Sequence, residues 1–287
     1  MNAERTTKAS LSACGAIARA QDPDRFYAVL FAAAEKREAL FALIAFNYEV
    51  ARLREIISEP LIGEMRLAWW QEVIDDIETP RAPRPHPVAQ ALDAAYRGSP
   101  FSLDALRQLT EARSFDLHND AMADLDALVS YARASGGNLA RLMAEVLLPA
   151  SNQSAALLAG AGAAGTSWAL TGIIRSLRIH ASRGQMFLPA RELGARGISP
   201  TSVLAGTVSG GLQVVVREIL ERARDELDEA RKLKFGAALP AVLYCAQLPA
   251  YWRRMARVDF DPFRSSIERS DFARLTTLMR AALFKKI

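Results

Sequence analysis

Residues 162–189 read GAAGTSWALTGIIRSLRIHASRGQMFLP, and this stretch decides the reading of the chain. Its first half is a run of small and aliphatic residues without Pro, the composition of a helix that packs closely against neighbours. Its second half gathers Arg175, Arg178, His180 and Arg183, then stops at Gly184 and Pro189. The whole stretch contains no Asp or Glu. A buried helix that ends in basic residues is equipped to hold an anion, because guanidinium groups bind phosphate or carboxylate oxygens in bidentate fashion. The competing explanation is a set of solvated charges at a helix end.

Moving outward, the helical pattern continues. From Asp24 the chain reads DRFYAVLFAAAEKREALFALIAFNYEVARLREII, with apolar residues at helical spacing and no Gly or Pro before Pro60. One or two packed helices are expected there. Ser58-Glu59-Pro60 interrupts, and residues 61–77 resume with Met65, Trp69 and Val73 on one predicted face. The proline-rich TPRAPRPHP (79–87) is read as a connector. Ser102 and Asp124 are expected N-caps, and Gly136-Gly137 interrupts or ends the helix that Asp124 begins. A loop is expected over 184–199, a long amphipathic helix over 203–234, and a final helix in LMRAALFKKI. Residues 1–22 are read as a flexible N-terminus and 23–287 as one helical domain, so the fold class is all-α.

Composition narrows the function classes. With 287 residues, 51% hydrophobic and 24% charged, the chain is long enough to bury a large core. Net charge is +4, which suits an anionic partner without naming one. Cys14 and Cys245 stand far apart and suggest neither a disulfide framework nor a zinc site. No nucleic-acid-binding motif occurs. The apolar segment 235–252 is broken by Pro240 and Pro249, so no transmembrane helix is expected from it.

Several blocks in order carry a resemblance to the squalene/phytoene synthase family: RFYAVLFAAAEKREALFALIAFNYEVARLRE, EMRLAWWQEVI, LDALVSYARASGG and the 162–189 stretch. The resemblance implies an isoprenoid-synthase-type helical bundle around a central cavity. In that family, two facing Asp-rich helical motifs hold magnesium on a prenyl diphosphate. Carboxylates at i and i+4 share one helix face and suit a hard oxygen-seeking cation. Here the first motif falls on Ala51, Arg52 and Glu55, and the second on Ser176 and His180, with Arg175 kept. The family's later arginine and tyrosine fall on Gln185 and Phe187. The chain is most similar to a divergent branch of assembly factors for respiratory complex I.

What the resemblance implies is a degenerate site with no resident metal or cofactor, in a non-enzymatic assembly or binding factor for respiratory NADH dehydrogenase. Magnesium enters only with the alternative, a prenyl-diphosphate transferase whose Arg175, Arg178 and Arg183 bind diphosphate. A third alternative is a prenyl-lipid carrier. Phe41, Phe46, Trp69 and Trp168 are candidate cavity walls, though core packing accounts for them equally. His180 is read as a proton shuttle or as an ordinary hydrogen-bonded or exposed histidine. The Asp116–Asp126 cluster with His118 is read as caps and turns, and Glu72, Asp75 and Asp76 as a surface face. The expected partners are respiratory-complex subunits, a prenyl diphosphate or lipid, and a membrane surface met by Arg253, Arg254, Arg257, Lys285 and Lys286. The expected location is the cytoplasm, peripheral to the inner membrane, or the matrix side in a mitochondrion.

Overall fold

The computed structural model describes residues 11–57, 59–264 and 269–287. Among them the chain is helical throughout, and the only β-type contact is an isolated bridge between Met122 and Pro189. The polypeptide is already ordered before Pro23. Ser12 caps α1 (Ala13–Gln21) by accepting from Gly15 N at 3.0 Å, and Cys14, Gly15 and Ala18 are buried. The flexible reading of 1–22 is therefore corrected for residues 11–22: the small residues on one face let α1 lie close to α3. Residues 1–10 lie outside the described residues, as does Ser58.

The run after Asp24 divides into α2 (Pro23–Val29), α3 (Arg37–Ala51) and α4 (Leu53–Ile56). The break at 30–36 contains neither Gly nor Pro. It is held by Arg37, which donates to the carbonyls of Ala32 at 3.0 Å and Leu30 at 2.9 Å. Side-chain donors thus satisfy carbonyls that a helix end leaves open. In α5 (Pro60–Ile77) the predicted apolar face is rotated: Met65 is 65% exposed, whereas Gly63, Leu67, Trp70, Ile74 and Ile77 are buried together with Val73. Two apolar stripes run along this helix, and periodicity alone does not choose between them.

Then come α6 (Pro87–Gly98), α7 (Leu103–Ala112), α8 (Ser114–Leu117) and α9 (Leu125–Ala132). Ser102 and Asp124 cap α7 and α9 as expected, accepting from Ala105 N at 3.1 Å and Ala127 N at 2.9 Å. Gly136 and Gly137 do not end the helix. They lie in a π turn (Arg133–Gly137) that runs directly into α10 (Asn138–Leu147). Their role is contact, since they face α11 (Ala155–Arg175). A Cβ on Gly165 would strike the Gly136 carbonyl oxygen and lie 2.6 Å from Ala140 Cβ.

By length and composition α11 is able to cross a bilayer, but 61% of its most apolar window is buried inside the bundle. It lies between α10 with the π turn and α15 (Gly210–Arg231), as the core helix of the fold. The intervening segment is not all loop, because it forms α12 (Leu177–Ser182), α13 (Ala190–Gly194) and α14 (Pro200–Leu204). Gly206, at φ +75°, separates α14 from α15, so the helix expected over 203–234 starts only at Gly210. Two 3-10 segments, α16 (Leu248–Arg257) and α17 (Asp271–Phe284) complete the chain.

Candidate functional site

The C-terminal ends of α3 and α11 face each other across a cavity of about 300 Å³. Ala51 and Glu55 line it from one side, Ser176, His180 and Arg183 from the other, and Trp168 forms part of its wall. Four of the five inherited motif positions, Ala51, Glu55, Ser176 and His180, therefore meet at one place although more than a hundred residues separate the two blocks. The link between them is an ion pair, Arg183 Nη1 to Glu55 Oε1 at 2.6 Å.

The fifth motif position does not join. Arg52 turns to Glu49, at 2.8 Å, and lies over the Tyr48 ring. The anion-site reading is also corrected. Arg178 is exposed on α12 and lines no part of the cavity. Arg175 does not line the cavity: its guanidinium lies 4.0 Å from the Tyr251 ring centroid and 5.7 Å from that of Trp168. Helical geometry accounts for this, since Arg175, Arg178 and Arg183 fall at different angles around the bent α11–α12 axis. Three of the four aromatic candidates are core or rim instead of wall: Phe41 stacks on Phe26, Phe46 meets Trp70 edge-on, and Trp69 lines a separate surface groove with His86.

In place of those residues, the cavity holds a buried polar network. Arg113 donates to Tyr131 Oη at 2.8 Å, to Asn47 Oδ1 at 3.0 Å and to Asp116 at 3.3 Å. Tyr131 donates to the other oxygen of Asp116 at 2.6 Å. Gln185 donates to the Asp116 carbonyl at 3.2 Å. Asp116 is 6% exposed, so it is a structural counter-ion and not a turn residue. Burial pushes its carboxyl above the usual range, and Arg113 and Tyr131 only partly counter that. Burial, reinforced by the negative Asp116, holds the Tyr131 phenol far up, so it remains protonated and able to donate. Arg25, itself buried against Tyr244 and Asp22, also reaches the cavity.

His180 is neither exposed nor a neutral-pH shuttle. Its ring packs against Phe187 with centroids 4.6 Å apart. Burial lowers its pKa from 6.5 to about 4, and Arg183 adds repulsion that Glu55 partly offsets. The imidazole is uncharged at pH 7. The network residues Arg113 and Asp116 stand outside the resembling blocks and carry no motif that marks them in the sequence. Asn47, Tyr131 and Gln185 do stand inside those blocks, but only the tertiary structure joins them into one network with Arg113 and Asp116.

A sequence profile described as Squalene/phytoene synthase matches residues 18–278. Complex I assembly factor 6 from Bos taurus is 28% identical over 265 residues, covering 90% of this chain and 77% of that protein. Phytoene synthase 3 from Zea mays is 27% identical over 224 residues, 76% of this chain and 51% of that protein. Among solved structures, a dehydrosqualene synthase superposes with TM-score 0.81 at 14% identity over 94% of each chain. A squalene synthase from Alicyclobacillus acidocaldarius does so with TM-score 0.76 at 18% identity, over 87% of this chain and 94% of that one. The fold is the all-α isoprenoid-synthase bundle, and the chain belongs to the squalene/phytoene synthase family.

Proposed function

We propose that this chain has kept the family's bundle, has lost its metal-dependent chemistry, and serves as a non-enzymatic assembly factor for respiratory NADH dehydrogenase. The observation that carries the loss is the Arg183–Glu55 pair. Glu55 is the one carboxylate left among the inherited motif positions, and an arginine from the facing helix occupies it. Ala51 and Ser176 offer no charged ligand, and a divalent ion between the two helices would sit beside the Arg183 and Arg54 guanidiniums. Among the described residues no three His, Cys, Asp or Glu side chains gather at metal-binding distance. The residues present therefore do not fit a magnesium cluster on a diphosphate. The similarity along 90% of the chain to complex I assembly factor 6 supports the assembly role. It also supports respiratory-complex subunits as partners and a membrane-associated role.

The test has two arms. Purified protein is incubated with farnesyl or geranylgeranyl diphosphate and Mg²⁺, and pyrophosphate and a coupled hydrocarbon are sought. The expected result is neither. Release of both at enzymatic rates establishes the transferase instead. In the second arm, deletion of the gene is expected to deplete assembled NADH dehydrogenase, and an unchanged complex removes the assembly role.

A further inference from the structure

The helix α17 has two apolar faces and the fold covers only one. Leu278 and Ala281 are buried against the bundle. On the opposite side Phe272, Leu275, Met279 and Leu283 recur at i, i+3, i+7 and i+11 with exposures of 79%, 36%, 63% and 76%. A continuous exposed apolar stripe of this kind marks an interaction surface.

Beside the stripe, between α16 and α17, lies a cleft of about 480 Å³. Arg231, Arg253, Arg269, Arg280 and Lys286 line it with Phe284, and no carboxylate side chain does so among the described residues. Arg253, Arg280 and Lys286 are exposed and have no side-chain hydrogen bond or ion pair among the described residues. Residues 248–287 hold nine Lys/Arg against four Asp/Glu, a net +5, while the rest of the chain carries −1. The molecule's net positive charge thus falls in the segment of sequence that carries the exposed stripe.

We infer that this face docks on an anionic phospholipid bilayer: α17 lies in the interface with its stripe among the acyl chains, and the α16–α17 cleft receives lipid phosphates. Charge decides the occupant. A second copy pairing through the same face would bring two sets of unpaired cations together, whereas an acidic membrane neutralises them and buries the stripe at once. The surface stands whether or not the chain assembles a respiratory complex.

The full chain is sedimented with vesicles of phosphatidylcholine alone or with about one third phosphatidylglycerol, at low and high salt. Binding is expected only to the anionic vesicles and to weaken with salt. Arg253→Glu with Arg280→Glu and Lys286→Glu is expected to reduce partitioning at least about a hundredfold, each cation counting roughly fivefold near such a surface. Met279→Ser with Leu283→Ser is expected to reduce it more than about tenfold even at low salt. All five side chains are exposed, so circular dichroism should show the fold unchanged. Equal binding to both vesicles, no binding to either, or unaltered binding by the charge variant overturns the inference. So does a dimer in solution that the stripe variant disperses, or salt-sensitive capture of acidic helical peptides in preference to vesicles.

Discussion

His180 gives the site a pH dependence that can be measured. Its ring is held against Phe187 beside Arg183, and the native pKa is about 4 where an unfolded chain has about 6.5. Between those values the unfolded state binds a proton that the native state refuses. Stability is therefore complete above about pH 6.5 and falls as pH drops toward 4. At about pH 4.5 the loss integrates to about 2.5 kcal/mol, or about 4 °C in Tm for a chain this long. Acid also acts through carboxylates, so the quantity to read is the difference between the wild type and His180→Gln, which keeps a polar side chain but does not titrate. Urea unfolding of both proteins at pH 7 and about pH 4.5 should show the wild type losing about 2.5 kcal/mol more than the variant. Equal losses would refute the argument, because they would mean that water reaches the imidazole and that the cavity's positive potential does not act on it.

Asp116→Ala leaves Arg113 buried without its carboxylate and should cost about 3–5 kcal/mol in urea unfolding, while Asp116→Leu with Arg113→Met should restore most of it. A single-variant cost below about 1 kcal/mol would show that the pair is solvated. Gly165→Ala should destabilise by about 1–3 kcal/mol or more through contact with the Gly136 carbonyl and Ala140. Gly172→Ala on the same helix meets nothing within 4 Å and should be neutral or stabilising by up to about 1 kcal/mol. Glu55→Gln breaks an ion pair whose side chains are 41% and 47% exposed, so thermal melts should move by less than about 1 kcal/mol, and less again in high salt.

The sequence announced elements where local chemistry sets them. Ser102 and Asp124 cap their helices because a side-chain oxygen satisfies a free N–H three residues on, an interaction contained within four residues. Boundaries set by distant contacts stayed hidden. Arg37 holds the break before α3 by reaching back to Leu30 and Ala32, and nothing in DRFYAVLFAAAEKREAL marks it. The same division applies to the cavity. Block order placed Ala51, Glu55, Ser176 and His180 together, because a fold conserves which helix ends meet. It did not place Arg175, Arg178, Phe41 or Trp69, because side-chain direction depends on helix rotation and neighbours. Asp116 was misread for a related reason: SFDLHND has the composition of a turn, and only the buried Arg113 and Tyr131 make its aspartate a counter-ion.

The charges around the cavity form one electrostatic argument. Burial is what chiefly keeps His180 neutral, and the Arg183 charge that adds to it has the sign that opposes a divalent cation. Of the cavity's two carboxylates, Asp116 is already held by Arg113 and Tyr131, and Glu55, from α4 at the α3 end, is already in contact with the Arg183 guanidinium. Restoring carboxylates at Ala51, Ser176 and His180 would therefore not by itself rebuild a cation site, since each new charge would first meet an arginine nearby. Arg183 would have to be removed as well. In the function proposed above, the departure from metal chemistry lies in the pairing across the two helices as much as in the substituted residues, and the bundle tolerates that pair because it is half-exposed and contributes little to stability.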